Sequence, residues 1–202
     1  MSDTGKFIKF CESDFGKKIL EKEAEYIYKE LKDCQRILDV GCGIGQFEQK
    51  LSDLNITGLD NSEEMLKEAR KRSNKTFVLE NAENLPFKDF SFDGILYVTT
   101  LEFVENYQKA IQESVRVLEP EGKLVVIMLN PESEYFRTHM KKENSYFRKM
   151  KHLDLRGIRD YISKYCQVIK EEYFLGIRGK QIFDSCDKKF ASLYAITGES
   201  CK

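Results

Sequence analysis

The feature that most constrains this chain is an alternation. Five short apolar runs, Arg36 to Val40, Ile56 to Leu59, Thr76 to Leu79, Gly94 to Val98 and Lys123 to Leu129, each give way to a polar or helix-periodic stretch. Such runs have strand length. Between them the spacing of apolar residues predicts helices over about Gln46 to Asp53, Glu63 to Ser73 and Tyr107 to Leu118. Strands separated by helices pair in parallel through right-handed crossovers, which places helices on both faces of one sheet. The expected class is α/β, doubly wound. Upstream, Ile19, Leu20, Ala24, Ile27, Tyr28 and Leu31 recur at helical spacing and predict an amphipathic helix. After Asn130 and Pro131 the alternation stops. Ser133 to Tyr165 is polar, aromatic and basic with weak helical periodicity. Val168 to Leu175 and Ala191 to Ile196 read as two late strands, and the turn residues between them predict an antiparallel hairpin.

At 202 residues one core suffices, so 1–202 is expected to form a single domain. Hydrophobic residues at 41%, charged residues at 33% and a net charge of -1 exclude a disordered chain and give no general attraction to nucleic acid. The apolar runs fall far short of the ~18 residues that cross a bilayer, and Met1 to Phe10 carries no apolar signal segment, so a cytoplasmic protein is expected. Six cysteines without a C-x-x-C pair and only two histidines, His139 and His152, offer no zinc spacing. Free thiols and no metal are expected.

The most informative stretch is Ile37-Leu38-Asp39-Val40-Gly41-Cys42-Gly43-Ile44-Gly45, a buried strand running into a glycine-rich turn and then a helix. Glycines let the backbone approach a ligand closely at the carboxyl edge of an open sheet, although the same residues also suit a plain tight strand-to-helix connection. The spacing is G-x-G-x-G. The dinucleotide fingerprint requires a third glycine where Gln46 stands, which counts against an NAD-dependent oxidoreductase. The second strand ends in Gly58-Leu59-Asp60, and a carboxylate at that tip can accept hydrogen bonds from both hydroxyls of a ribose. Asn61, with Glu64 three residues on, has the pattern of a capping box and is equally consistent with ligand contact.

These stretches, with Asn81-Ala82-Glu83-Asn84-Leu85-Pro86-Phe87, Phe92-Asp93-Gly94-Ile95 and Arg116 to Leu124, resemble in order and spacing the successive motifs of the class I S-adenosylmethionine methyltransferases. The likeness is to the small-molecule branch that includes ubiquinone/menaquinone-type enzymes, and it covers roughly residues 36 to 130. It implies a Rossmann-like, mostly parallel sheet of seven strands in the order 3-2-1-4-5-7-6. An N-terminal helical cap would span 1–35, the cofactor-binding core 36–130, a variable lid region 131–165 and the closing strands 166–202. The cofactor implied is S-adenosylmethionine, with S-adenosylhomocysteine as product. By the same resemblance Gly41, Cys42 and Gly43 would lie against the methionine portion, and Asp39 would order their turn. Asp60 would hold the ribose hydroxyls, with Asn61 and Met65 beside the sugar and adenine. Met65 is equally consistent with a helix core position. Asn81, Ala82 and Glu83 would read the adenine edge; the family often has Asp at the place of Asn81, and the amide carbonyl can still accept from an amino group. Tyr97 and Thr99 would border the transferable methyl group.

A sulfonium already activates its methyl group, so the protein must mainly hold the acceptor in line and remove a proton where needed. No catalytic residue follows. Glu102, Tyr135, His139 and His152 are possible bases, each also consistent with a surface role. Between Arg137 and Arg159 eight basic residues face two acidic ones, with Tyr146 and Phe147 interleaved. This points to a small acidic or aromatic acceptor under a partly mobile lid, and equally fits a solvated helix face whose aromatics pack inward. An RNA or protein acceptor, or a catalytically silent cofactor-binding module, is the competing reading. Against nucleic acid stand a pI near 6.2 and Val98-Thr99-Thr100-Leu101-Glu102 in place of the N/D-P-P-F/Y turn of base methyltransferases.

Overall fold

In a computed structural model, which describes residues 3–202, eight strands form one sheet in the order β3-β2-β1-β4-β5-β8-β6-β7. The strands are β1 (Ile37–Val40), β2 (Ile56–Asp60), β3 (Thr76–Leu79), β4 (Phe92–Val98), β5 (Leu118–Leu129), β6 (Cys166–Arg178), β7 (Gln181–Phe183) and β8 (Ala191–Ser200). The first five pair in parallel and the last three antiparallel. The expected order holds, with one addition: the sheet has eight strands, because Gln181–Phe183 folds back on Gly176–Arg178 as a short edge strand.

The helices are α1 (Asp3–Glu12), α2 (Asp14–Leu31), α3 (Gln46–Lys50), α4 (Glu63–Arg72), α5 (Tyr107–Val117), α6 (Glu134–Met140) and α7 (Leu155–Ile162), with a 3₁₀ turn at Tyr146–Lys149. Successive side chains of a strand point to opposite faces, and the central strands are apolar on both. Leu38, Ile95, Leu124 and Val126 pack with Ile111 of α5 and Ile158 and Ile162 of α7. Ile37, Leu96, Val125 and Ile127 pack with Ile27 and Leu31 of α2 and Phe136 of α6. All of these except Phe136 and Ile158 are fully enclosed, and each such burial contributes roughly 1.5–3 kcal/mol.

Helix boundaries follow local chemistry. Ser13, Ser62, Asn106, Ser133 and Asp154 each stand at an N-cap and accept from a backbone N–H one turn on. The cap of α4 is therefore Ser62, which accepts from Met65 N–H at 3.3 Å, and Asn61 does not fill the capping role. Among the described residues no helix is long and apolar enough to cross a membrane, and no group of three or more His, Cys, Asp or Glu is arranged to hold a metal ion. All six cysteines are free thiols.

Candidate active site

β1 pairs with β2 on one side and β4 on the other, so the chain winds outward in one direction and then returns to wind in the other. A crevice opens at such a reversal, outside the carboxyl ends of the strands. The turn Gly41 to Gly45 lies there. Gly41, Gly43 and Gly45 adopt left-handed backbone, with φ of +82°, +55° and +70°. A Cβ at Gly41 would sit 2.4 Å from the Thr100 side chain, and one at Gly45 would sit 2.9 Å from Ala69. At Gly43 it would meet only the Phe7 ring, at 3.6 Å. Of the three glycines only Gly43 has room at its Cβ position, so there the missing side chain leaves space for a bound molecule beside the backbone.

Asp60 holds this turn. Its Oδ2 accepts the Gly43 N–H at 2.9 Å and its Oδ1 accepts the Ser62 N–H at 2.8 Å, while Gly41 and Cys42 donate to the Leu59 carbonyl. Burial nevertheless raises the Asp60 carboxyl above its ordinary value, since the backbone bonds offset only part of the desolvation. Each carboxylate oxygen keeps a further lone pair for a ligand hydroxyl. Asn61, exposed, and Met65, half-buried, follow on the same turn into α4.

Asp39 lies beneath the turn, 1% exposed, near the carboxyl of Glu48 on α3, and Asp39 Oδ2 and both Glu48 oxygens are buried without a hydrogen-bond partner. Burial first and then the neighbouring Glu48 charge raise Asp39 well above its usual range, and burial raises Glu48 to about 7. Gly58 has no side chain because Glu48, the Cys42 thiol and Phe77 already crowd its Cβ position at 2.7–2.8 Å. Cys42 thus turns its thiol into the core and offers the crevice only its backbone. The Glu48 half of this pair was not read from the sequence; an acid on the buried side of α3 is its only local sign.

The loop after β3 is fixed from α5. Arg116 donates to the Leu85 and Phe87 carbonyls at 2.9 and 2.8 Å and pairs with Glu113 and Asp89. Glu83 accepts the Asn106 N–H at 2.9 Å, Asn81 is exposed with its Oδ1 on the Glu83 N–H, and Ala82 is buried. Thr99, at φ +46°, ends β4 beside this edge and is half-buried. Tyr97 is different. Its ring is fully enclosed on the α5 face, with the hydroxyl 2.6 Å from Ser114 Oγ and 3.2 Å from the Ala110 carbonyl, so only its backbone belongs to the strand end.

Above the crevice α1 lies across the turn: the Phe7 ring borders the space beside Gly43, the Cys11 thiol reaches Gln46 Oε1 at 3.2 Å, and Thr4 bonds Glu64 of α4 at 2.8 Å. Of the possible bases, Glu102 is fully buried, against the surface role open to it in the sequence. Its Oε1 accepts the Leu129 N–H at 2.7 Å and its Oε2 has no partner. Tyr135 and His139 on α6 lie with ring centroids 4.2 Å apart, tilted at 45°, and His152 bonds the Val104 carbonyl. Arg137, Lys141, Lys142, Arg148, Lys149, Lys151 and Arg156 are exposed, with Lys151 paired to Glu105 and Arg159 to Glu171. Phe136 and Phe147 stack beneath them at 5.4 Å. Fold and turn together define a doubly wound protein with a glycine-lined crevice at its switch point.

The chain matches the family described as a methyltransferase domain over residues 38–126. An uncharacterized protein of Methanocaldococcus jannaschii is 35% identical over 175 residues, which is 82% of this chain and 81% of that protein. The chain belongs to the class I S-adenosylmethionine-dependent methyltransferases, in the branch that includes the ubiquinone/menaquinone-type enzymes. The demethylmenaquinone methyltransferase of Thermotoga maritima is 36% identical over 48% of this chain and 44% of its own length. The chain spans about half the length of other curated relatives, 53% and 42% for two further M. jannaschii proteins. Among solved structures, an S-adenosylmethionine-dependent methyltransferase of T. maritima, described as a possible histamine N-methyltransferase, superposes with a TM-score of 0.81 at 25% identity. That match covers 98% of this chain and 95% of the other.

Proposed function

We propose that this protein transfers the methyl group of S-adenosylmethionine to a small acceptor with an aromatic body, held between α1, α2 and α6. The observation that carries the reading is the Gly43 backbone, open to the crevice and braced from below by Asp60. When bound, the cofactor supplies an electrophilic methyl group on a sulfonium. Gly41, Cys42 and Gly43 offer backbone to its methionine portion, Asp60 its spare lone pairs to the ribose hydroxyls, and Asn61 and Met65 border the sugar and adenine. Asn81, Ala82 and Glu83 form the edge that reads the base, held in place by Arg116. Thr99 borders the methyl group; the Tyr97 ring is committed to α5 and takes no part.

For the acceptor, Phe15, Tyr135, His139 and Phe147 form a run of rings with neighbouring centroids 4.2–6.2 Å apart. The basic residues of the same region are exposed, so the aromatic half of the acceptor expectation is better supported than the acidic half. The six free thiols suit a reducing compartment, the cytoplasm. The test is calorimetry with S-adenosylmethionine, S-adenosylhomocysteine and NAD on wild type and Asp60→Ala. Saturable binding of both sulfur ligands, at least about tenfold weaker in the variant and absent for NAD, is expected. Folded wild type that binds neither would overturn the reading.

A further inference from the structure

The inward stripe of α2 runs Gly16, Ile19, Leu20, Glu23, Ala24, Ile27 and Leu31, the i, i+3, i+4 spacing of a core-facing surface. Glu23 interrupts it. A carboxylate at such a position is ordinarily paired, and one helical heptad further on Glu30 shows how: it takes Lys170 at 2.8 Å and Thr197 at 3.2 Å. Glu23 has no hydrogen bond or ion pair among the described residues, and burial alone, with no cation beside it, raises its carboxyl to about 8. It is nonetheless half-buried rather than sealed, and its oxygens are not among the solvent-excluded unpaired atoms. A carboxyl deep in the protein that still meets solvent lines a cleft.

That cleft adjoins the cofactor turn. The charge of Glu23 raises both the Cys11 thiol of α1, which bonds Gln46, and the Tyr135 phenol of α6, so the group lies between these two helices. Tyr135 in turn lies 6.2 Å from the ring of Phe15, at the start of α2. An unpaired carboxyl near aromatic rings is suited to one chemistry. A protonated amine gains a charge-assisted hydrogen bond from the carboxylate and attraction to the ring faces, whereas an acid is repelled and a neutral group leaves the charge unpaired.

Resting on the methyltransferase reading above, we infer that Glu23 selects the acceptor, and that the acceptor is an amine carried on an aromatic or apolar body. The stripe position, the missing partner and the ring pair all belong to this chain's own cleft between α1, α2 and α6. A bound ammonium draws the carboxyl back into its ionised form, because an opposite charge favours it.

The experiment uses the full chain saturated with S-adenosylhomocysteine and three probes of matched body: 2-phenylethylamine, 2-phenylethanol and 3-phenylpropionate. Wild type, Glu23→Gln and Glu23→Leu are titrated with each at about pH 8.5, where the amine is still a cation. The amine should bind wild type in preference to the other two. Its affinity should fall at least about tenfold in both variants, while S-adenosylhomocysteine binds all three proteins alike and Glu23→Leu melts above wild type. The inference is overturned if wild type holds the alcohol or the acid as tightly as the amine, binds none of the probes, or loses nothing in either variant. Wild type that fails to bind S-adenosylhomocysteine removes the reading beneath it, and the two failures are told apart by that first titration.

Discussion

Replacing Glu102 with Gln should make the protein more stable above neutrality and leave it unchanged in mild acid. Glu102 is fully enclosed; one oxygen accepts the Leu129 N–H at 2.7 Å and the other has no partner. Burial raises the carboxyl from 4.5 to about 7. Between those values the unfolded chain has released a proton that the folded chain still holds, so stability falls as pH rises. The contribution is complete below about pH 4.5 and is lost once pH has passed about 7. At about 1.36 kcal/mol per pH unit the loss is roughly 3 kcal/mol. Gln keeps the oxygen that accepts from Leu129 and puts an amide nitrogen where the protonated oxygen stood, so it matches the neutral acid and does not ionise. Urea unfolding of both proteins across that window is the assay. With an m-value of about 2 kcal/mol per molar, the midpoints should converge toward about pH 4 and differ by about 1.5 M near pH 8, at equal slopes. Midpoints that move in parallel, or a variant weaker at every pH, would refute the argument, because Glu102 would then be ionised and held by its bond.

Arg116→Lys should weaken S-adenosylhomocysteine binding several-fold by calorimetry and lower stability by about 1–3 kcal/mol in urea, since one ammonium cannot reach the Leu85 and Phe87 carbonyls together with Glu113 and Asp89. An unchanged affinity would detach the adenine-edge loop from Arg116. Ellman's reagent on the native protein should find two fast thiols, Cys186 and Cys201, which are exposed. Burial pushes Cys34 up to about 11 and Cys11 and Cys166 to about 12, and holds Cys42 high as well. A third thiol reacting as fast as these two would contradict the packing around the turn.

What the sequence made legible was what depends on neighbours in the chain. The buried strand Ile56–Asp60 and the apolar run of the edge strand Thr76–Leu79 appear within a residue of their ends, and the glycine turn lies where its motif says. β5 begins five residues earlier than its apolar run because Leu118 pairs with Phe92 before a register shift carries the chain past Pro120 to Lys123, and no periodicity marks such an irregularity. β7 has three residues at an edge and no pattern to detect. α1 falls within the expected 1–35 helical cap but carried no helical pattern of its own, and its contacts, Thr4 with Glu64 and Cys11 with Gln46, join residues 60 and 35 positions apart. The acids divide in the same way. Asp60 stands at a strand tip and could be assigned there, whereas the approach of Glu48 to Asp39 and the enclosure of Glu102 depend on which way a helix and a turn face.

These acids share one consequence. Asp39, Glu48, Asp60, Glu102 and Glu23 all lie in or around the crevice region, and burial is the leading cause that raises each of them. A fold selected for stability alone would replace such groups with apolar ones of similar volume, because an unpaired buried carboxyl opposes folding. Keeping them is intelligible if the occupants of the crevice are cations, since a positive charge brought close favours the ionised carboxyl and converts a penalty into attraction. The sulfonium of the cofactor meets that condition, and after transfer its product carries a neutral sulfur. Any molecule that binds only the folded chain also restores part of the stability these acids remove. An amine beside Glu23 extends the same logic to the acceptor side of the crevice, so one electrostatic bias serves both halves of the site.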